Sequence, residues 1–317
     1  MLFNNDKAVS PIVATLVLIV VAIAGAAAVG TIMGSFSSDV SDSASADQAA
    51  SSASTELLIA GSTTVQPVSE KLAEAYMEEH SGVKVTVQGG GSGAGVSSTG
   101  MDIVDIGAAS RAVKDTELTT YPDLQTYQIG ASAVVVIANE NAMTDFNCSK
   151  EELEDLFLND TSDSSGNFSD DIVPYQRAEE SGTEDTFTEY LGGKDASINS
   201  SIKGATGNAG VLEAVQDDDN GVGFVDYGYA DGADGIKILG IYDGKMYYPV
   251  DSDAIKDELG ATGSNEGKYY PHGLTRPLNY ITNGNPTSME KAFIDFARSP
   301  GATQYFDEVG YFSITSI

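Results

Sequence analysis

The stretch AGSTTVQPV, residues Ala60 to Val68, joins a short apolar run to a segment with helical spacing. The apolar run ELLIAGS, at 56–62, predicts a buried strand, and the apolar side chains from Val68 to Tyr76 recur at the intervals of one helix face. Hydroxyl side chains and a glycine therefore lie where a strand passes into a helix. Unpaired N–H groups and the positive end of the helix dipole meet at such a junction and attract anions. Ser and Thr are also typical of a simple helix cap, so both interpretations stay open here.

The segments beyond this stretch alternate between strand-like and helix-like patterns. Apolar or alternating runs predict strands, and helical spacing with Ser, Thr or Gly at the ends predicts helices. The strands fall at 83–88, 101–110 and 131–139, and the helices at 149–158 and 183–193. This alternation favours an α/β fold with mainly parallel sheets.

A second stretch of glycines and hydroxyls, QGGGSGAGVSSTG, runs from Gln88 to Gly100 after a predicted strand. Glycines in a turn let the backbone approach a ligand closely and direct its N–H groups inward, with Ser92 among them. The stretch lacks the Gly-Lys-Ser/Thr of a phosphate-binding P-loop and the G-x-S-x-G elbow of a serine hydrolase. A plain flexible turn is the alternative interpretation.

The third stretch is QRAEESGTEDTF, from Gln176 to Phe187. Arg177 offers a planar fork of donors that suits an oxyanion. Ser181 and Glu184 match the S-x-x-E pattern of a capping box, which alone would explain their spacing. The nearby acidic residues count against anion binding unless they point outward or orient Arg177.

Composition excludes several function classes. The chain has 317 residues, 41% of them hydrophobic, and its formal net charge of -31 indicates a solvated acidic surface without the cation clusters that bind nucleic acids. Cys148 is the only cysteine, so no internal disulfide forms, and the two histidines, His80 and His272, are far apart in sequence. We therefore predict no metal site, no cofactor and no nucleic-acid partner.

The N-terminal segment has the properties of a membrane anchor. No charged residue occurs from Ala8 to Ser38, and an apolar helix of this length reaches across a bilayer. Lys7 precedes the run and Asp39 follows it, which places the N-terminus in the cytoplasm and the remainder outside. Residues 1–34 are thus predicted to be a membrane anchor or a signal segment, since a cleaved secretory signal also fits.

Residues 35–55, rich in Ser, Ala and Asp, predict a flexible linker. The run KAVSPIVATLVLIVVAIAGAAAVG, from Lys7 to Gly30, resembles the N-termini of archaeal type IV pilin-like precursors, which are cut just before the hydrophobic stretch. That resemblance leaves open a surface structural protein of the pilin type. Four N-x-Ser/Thr sequons are compatible with an exported glycoprotein; they begin at Asn147, Asn159, Asn167 and Asn199.

The order of motifs from 56 to 317 resembles the PstS family, the substrate-binding proteins of ABC-type phosphate importers. The motifs are AGSTTVQPV, GGGSGAGV, DIGAASRAV, QRAEESGTEDTF, GNAGVLEAV, GVGFVDYGYA and the late LTRPLNYITNG at 274–284. Their conjunction is far more specific than any one of them.

The resemblance implies a periplasmic-binding-protein-like fold of type II with two α/β lobes, each a mainly parallel sheet flanked by helices. Residues 56–130 and 246–317 would form the first lobe, and 131–245 the second. Two crossing strands would join the lobes, and the anion would be bound between them. Closure of the lobes around the ligand is the expected motion.

The resemblance also implies a ligand set. The residues expected to bind phosphate are Thr63, Thr64, Ser92, Ser110, Arg111, Arg177, Ser181, Gly182 and Thr183. Many family members carry an Asp, which reads the proton on phosphate, where this chain has Ser110 and Arg111; a branch of the family carries Ser-Arg there. Asn208 and Tyr227 are expected to shape the second lobe instead of touching the ion. Pro271, Arg276 and Pro277 are expected to belong to the late strand and its turn.

The function implied is extracytoplasmic capture of inorganic phosphate by a monomer that delivers it to the permease subunits of an ABC transporter, without catalysis. A receptor for another oxyanion, such as sulfate or tungstate, is the nearest alternative. An exported serine hydrolase is a further alternative, but neither His80 nor His272 lies in a recognisable catalytic frame.

Overall fold

The computed structural model describes residues 55–159, 167–169, 171–248 and 252–317. Within these ranges no helix is long and apolar enough to cross a membrane. The predicted anchor at 1–34 and nearly all of the predicted linker at 35–55 lie outside the described residues.

The described part of the chain contains thirteen strands, ten α-helices and three short 3₁₀ helices. The strands are β1 (Thr55–Gly61), β2 (Val83–Gly89), β3 (Ile106–Ala109), β4 (Leu124–Asn139), β5 (Asn147–Ser149), β6 (Val173–Arg177), β7 (Lys203–Ala205), β8 (Gly221–Asp226), β9 (Ile236–Ile238), β10 (Gly240–Tyr242), β11 (Tyr247–Tyr248), β12 (Thr275–Asn283) and β13 (Phe312–Ser313). The α-helices are α1 (Gln66–Glu79), α2 (Ser92–Gly100), α3 (Asp115–Thr120), α4 (Lys150–Phe157), α5 (Gly182–Gly192), α6 (Gly207–Gln216), α7 (Tyr227–Ala230), α8 (Ser252–Leu259), α9 (Ser288–Ala297) and α10 (Thr303–Asp307). The 3₁₀ helices are Gly263–Asn265, His272–Leu274 and Pro300–Ala302.

Most of the predicted elements are present. The strands predicted at 56–62 and 83–88, the late strand and both predicted helices correspond to β1, β2, β12, α4 and α5. The apolar run at 131–139 is the end of a longer strand, the 16-residue β4, whereas only the last part of 101–110 is extended, as β3.

The glycine-rich stretch forms a helix, α2, where the sequence predicted a turn. Gly95 explains the difference, because a Cβ there would lie 2.4 Å from the Ala108 carbonyl oxygen and 2.9 Å from Gly61 Cα. Glycine therefore lets α2 lie directly on β1 and β3. This packing compensates for the low helix propensity of glycine.

The main sheet is mixed, with parallel strands on both sides of an antiparallel centre. Its strand order is β2-β1-β3-β12-β4-β8-β6-β7, with β13 and β9 also paired to β4. The pairs β1–β2, β1–β3, β6–β7 and β6–β8 are parallel, as predicted. The centre differs because β12 runs antiparallel to both β3 and β4. A separate small sheet has the order β11-β10-β5.

Two large hydrophobic cores lie on either side of this centre. The first is built from residues between Leu57 and Ile129 and between Leu278 and Tyr311, and the second from residues between Ala133 and Leu274, with Phe312. We call the residues around them the first-core region (55–132 and 275–311) and the second-core region (133–274). Residues between Tyr248 and Leu274 pack in the second core, so the chain returns to the first core later than the predicted position 246.

Candidate functional site

Three serines gather where β1, α2 and β3 meet. The Ser62 hydroxyl donates to Ser110 Oγ at 3.0 Å, and the Ser92 and Ser110 hydroxyl oxygens lie 3.4 Å apart. The backbone N–H of Ser110 donates to Ser92 Oγ at 3.2 Å. All three side chains are buried. The first and second predicted stretches therefore meet at one point.

The first turn of α5 approaches these serines from the second-core region. A Cβ on Gly182 would lie 2.6 Å from Ser110 Oγ and 2.7 Å from Ser92 Oγ. Since α2 begins at Ser92 and α5 at Gly182, the N-terminal ends of two helices converge here. Their orphan N–H groups and dipoles make this a position that favours negative charge.

The threonines of the quoted stretch do not cap α1. The N-cap of that helix is Val65, which makes no side-chain cap bond, and Ser62 Oγ instead accepts from the N–H groups of Thr64 at 3.2 Å and Val65 at 3.4 Å. The hydroxyls of Thr63 and Thr64 are bonded to arginines of other strands. The cap interpretation left open by the sequence is therefore wrong for these two residues.

Arg177, at the end of β6, is buried among hydroxyls. Its Nη1 donates to Thr183 Oγ1 at 3.1 Å and its Nη2 to Thr63 Oγ1 at 2.9 Å. Nη2 also pairs with the carboxylate of Glu179, which in turn accepts from the N–H of Gly207 at 3.2 Å. Glu179 thus holds the Arg177 guanidinium in place, one of the roles that the sequence allowed for the neighbouring acidic residues.

Arg276, on β12, reaches the same threonines from the first-core region. It donates from Nη1 to Thr183 Oγ1 and from Nη2 to Thr64 Oγ1, both at 3.0 Å. Its Nη2 pairs with Asp226 Oδ2 at 2.5 Å, and Asp226 Oδ1 accepts from the Ser132 hydroxyl at 2.7 Å. Arg276 lies in the late strand, as the sequence predicted, and from there it bonds to the same hydroxyls as Arg177.

The Thr183 hydroxyl joins the two guanidinium groups. It accepts from Arg177 and Arg276 and lies 3.3 Å from Thr64 Oγ1. Asn208 Nδ2 donates to Thr64 Oγ1 at 2.9 Å, which adds a neutral donor to the group. Burial and the positive charge of Arg276 lower the pKa of Arg177, while Glu179 opposes that shift. An anion here would stabilise both buried cations.

Ser181 caps α5 through the N–H of Thr183, at 3.1 Å. A capping box would use the N–H of Glu184 instead, so the cap differs from the one that the S-x-x-E pattern predicted. Ser181, Gly182 and Thr183 form the first turn of α5 beside both guanidinium groups.

Arg111 lies at the edge of the group, with carboxylate partners. Its Nη1 and Nη2 donate to the two carboxylate oxygens of Glu117 at 2.8 and 2.7 Å, and its Nε lies 2.8 Å from Asp185 Oδ2. Both terminal nitrogens of Arg111, which was expected to bind the anion, are thus already bonded to a carboxylate in this structure.

Three of the residues gathered here were missed by sequence reasoning: Asn208, Asp226 and Arg276. Asp226 and Arg276 are 50 positions apart in sequence, so no local motif could pair them. A usable signal was the scarcity of arginine, since the chain has four, and one of them lies in the late strand that the sequence predicts at 274–284. An arginine at such a position needs a buried partner.

The histidines lie elsewhere. His80 stacks on Tyr76, and His272 pairs with Glu258. Within the described residues, neither histidine is hydrogen-bonded to a serine of the site. In the same part of the chain, no group of three or more His, Cys, Asp or Glu side chains could hold a metal ion.

Comparisons with known proteins agree with this architecture. The phosphate-binding protein PstS of Bacillus subtilis (strain 168) is 27% identical over 285 residues, which cover 87% of this chain and 86% of the relative. An X-ray structure from Clostridium perfringens, assigned as a phosphate ABC transporter substrate-binding protein and containing bound phosphate, superposes with a TM-score of 0.68. It is 23% identical and covers 82% of this chain and 100% of its own length.

An ABC-type phosphate transport receptor from Vibrio cholerae has the same fold, with a TM-score of 0.63 and 24% identity. That match covers 82% of this chain and all of the receptor. The PBP superfamily domain matches residues 46–300, which is most of the chain and includes nearly all of the elements described above. The chain therefore belongs to the PBP superfamily.

Proposed function

We propose that this protein captures inorganic phosphate and delivers it to the permease of an ABC transporter. The observation that carries the proposal is the meeting of two buried guanidinium groups, Arg177 and Arg276, at the Thr183 hydroxyl. Phosphate is the ligand named for the Bacillus subtilis relative and present in the Clostridium perfringens structure. Binding without catalysis is the activity that this arrangement supports.

The proposed ligands come from both core regions. Hydroxyl and N–H donors would be supplied by Thr63, Thr64, Ser92, Ser110, Ser181, Gly182 and Thr183, and charged donors by Arg177 and Arg276. The neutral hydroxyl partners of the two arginines can be exchanged for phosphate oxygens while Glu179 and Asp226 keep both guanidinium groups oriented. The two core regions would then act as lobes that close on the ion.

The energetics permit tight binding by an acidic protein. Hydrogen bonds to a charged group contribute roughly 1.5 to 3 kcal/mol each, and a micromolar complex needs about 8 kcal/mol in total. Exposed charges are screened over about 8 Å at physiological salt, whereas aimed donors act at contact. The formal net charge of -31 is therefore compatible with anion binding at this site.

The proposed location of the protein in the cell depends on the residues before position 55. The uncharged run from Ala8 to Ser38 supports anchoring by an N-terminal helix, with the folded part outside the cytoplasm as a monomer. A pilin-type surface protein is the alternative for that segment. If cell fractionation recovers the protein in surface filaments, and not in the membrane or the medium, the pilin-type alternative is favoured.

The proposal is tested by calorimetric titration of the full-length chain, purified in detergent and stripped of ligand. We expect tight one-to-one phosphate binding that persists in excess sulfate. Displacement of phosphate by sulfate would point to the alternative of a broader oxyanion receptor. If the folded, ligand-free protein gives no heat signal when phosphate is added, the proposal is contradicted.

Arg177→Ala should weaken phosphate binding at least 100-fold while the protein stays folded, because it removes a planar pair of charged donors. The matched control is Arg298→Ala, since Arg298 is exposed at the end of α9. Unchanged affinity in Arg177→Ala would remove this residue from the site.

A further inference from the structure

We propose that Arg111 and Lys114, together with Asp185, form a latch that holds the two core regions together and slows release of the bound anion. We call the boundary between the two core regions around the anion site the cleft, and its exposed edge the rim. We call these three residues the rim latch. Its effect on release rests on the proposed phosphate binding, while its effect on closure does not.

The rim latch joins the two core regions directly. Lys114 Nζ lies 2.9 Å from Asp185 Oδ1, and Arg111 Nε lies 2.8 Å from Asp185 Oδ2. Arg111 and Lys114 follow β3 in the first-core region, whereas Asp185 lies on α5 in the second-core region. One carboxylate therefore bridges two cations that belong to the opposite side of the cleft.

The cationic side of the latch is rigidly held before Asp185 contributes. The Glu117 carboxylate accepts from both terminal nitrogens of Arg111 and, at 2.7 Å, from the N–H of Lys114. Asn279, on β12, donates to the carbonyl oxygen of Arg111 at 3.0 Å. These contacts hold both the side chain and the backbone of Arg111 in place.

The Arg111–Asp185 contact is partly buried, unlike an ordinary surface pair. The Arg111 side chain is 8% exposed and that of Asp185 34%. Burial lowers the pKa of Arg111, but Glu117, Asp185 and Glu180 together raise it above its usual value. The cation thus depends on nearby negative charge, part of which comes from the opposite core region.

Glu180 shows that the rims fit closely beside the latch. A Cβ on Gly91 would lie 2.4 Å from the Glu180 carbonyl oxygen, and one on Gly93 would lie 2.4 Å from Glu180 Oε2. Glu180 therefore packs on the start of α2. The acidic residues after Arg177 have separate positions: Glu179 orients Arg177, Glu180 contacts the glycines and Asp185 pairs with the opposite rim.

The latch can act only when the cleft is closed, since its partners come from both regions. Removing Asp185 should shift the population toward open states, and an anion escapes from those states. Association starts from the open protein, so it should change little. The expected result is a higher dissociation rate at a similar association rate.

The experiment compares Asp185→Asn with wild type as full-length protein, using inorganic phosphate and stopped-flow dissociation. We expect release to be about 5- to 50-fold faster, which corresponds to loss of one partly buried charge pair. The matched control is Asp295→Asn, because Asp295 pairs with Lys291 inside a single helix at an exposed position. That control should release phosphate at the wild-type rate.

A second variant isolates the contact. Lys114→Met should accelerate release in the wild-type background and have a smaller effect when Asp185 is already Asn. If Asp185→Asn does not fold, Lys114→Met still tests the latch, since the Lys114 side chain is 44% exposed and its loss leaves the core intact.

The outcomes separate the latch from the proposed function. Phosphate binding by wild type, with wild-type release from Asp185→Asn, would overturn the latch and leave phosphate capture standing. If wild type binds no phosphate, small-angle scattering of the ligand-free proteins decides closure: a larger radius of gyration for Asp185→Asn supports the latch, and an equal radius overturns it.

Discussion

The centre of the site and its rim each contain a buried arginine, but the partners of the two differ. At the centre, Arg177 donates to the Thr63 and Thr183 hydroxyls and pairs with one carboxylate. At the rim, Arg111 faces the carboxylates of Glu117 and Asp185. Burial is similar, with 4% of Arg177 and 7% of Arg111 exposed.

This difference shows that the partners of a buried arginine, more than its burial, decide whether it can bind an anion. Hydroxyl partners are neutral, so a charged ligand oxygen replaces them with a gain in hydrogen-bond strength. Carboxylate partners already neutralise the guanidinium, and displacing one would leave a buried charge unpaired. The centre is therefore suited to a ligand and the rim to an ion pair between protein side chains.

Arg276→Ala would test the centre most strongly. It leaves the fully buried Asp226 carboxylate without its cation, so we expect the free energy of unfolding to fall by about 3 to 5 kcal/mol. Chemical denaturation of the ligand-free protein measures the change.

The matching variant for this prediction is Arg276→Met combined with Asp226→Asn, which removes both charges. The double variant should be more stable than Arg276→Ala, while its phosphate affinity stays below that of wild type. Equal stability of Arg276→Ala and wild type would mean that the Arg276–Asp226 pair does not support the centre.

The sequence allowed the centre to be predicted only where its residues are local. Thr63, Ser92 and Ser181 occur in short stretches of hydroxyls and glycines, which drew attention to all three. The helices that follow Thr63 and Ser181 could be recognised from their spacing, whereas the helix that begins at Ser92 could not. Asp226 and Arg276 become partners only through the ordering of β8, β4 and β12 in the sheet. Spacing along the chain carries no such information.

The fold was predictable to a similar degree. The strands β1 and β2 and the helices α4 and α5 have clear periodicity, and the structure contains them. The helix α2 could not be predicted, because its glycines are poor helix formers and are needed for contact with β1 and β3. The contact between Arg111 and Asp185 was equally hidden, since Asp185 lies in another core region.

Gly182→Ala tests the contact between α5 and the serines of the first-core region without removing a charge. The added Cβ would lie 2.6 Å from Ser110 Oγ and 2.7 Å from Ser92 Oγ, so the closed cleft must widen. We expect a 10- to 100-fold loss of phosphate affinity, measured by titration, with little change in unfolding midpoint.

The control for this substitution is Gly210→Ala in α6, where the added Cβ meets its nearest atoms at ordinary contact distances of 3.6 and 3.7 Å. This change should leave affinity unaltered. Wild-type affinity in Gly182→Ala would show that the contact between α5 and the serines is not needed for binding.

Glu184→Gln gives the smallest expected effect and tests whether the acidic side of the rim carries an electrostatic cost. Burial, with a contribution from Asp185, raises the pKa of Glu184 to about 7. The folded state therefore holds this proton more tightly than the unfolded chain, and stability should fall as pH rises from about 4.5 to 7. Glu184→Gln removes that cost, so at pH 8 we expect a gain of about 1 to 2 kcal/mol in unfolding free energy, discounted for solvent screening, and little gain at pH 4.5.

Glu189→Gln, at an exposed position of the same helix, is the matched control. Denaturation curves recorded from pH 4.5 to pH 8 compare the two variants with wild type. An equal change at both pH values would mean that Glu184 is not desolvated by closure of the rim.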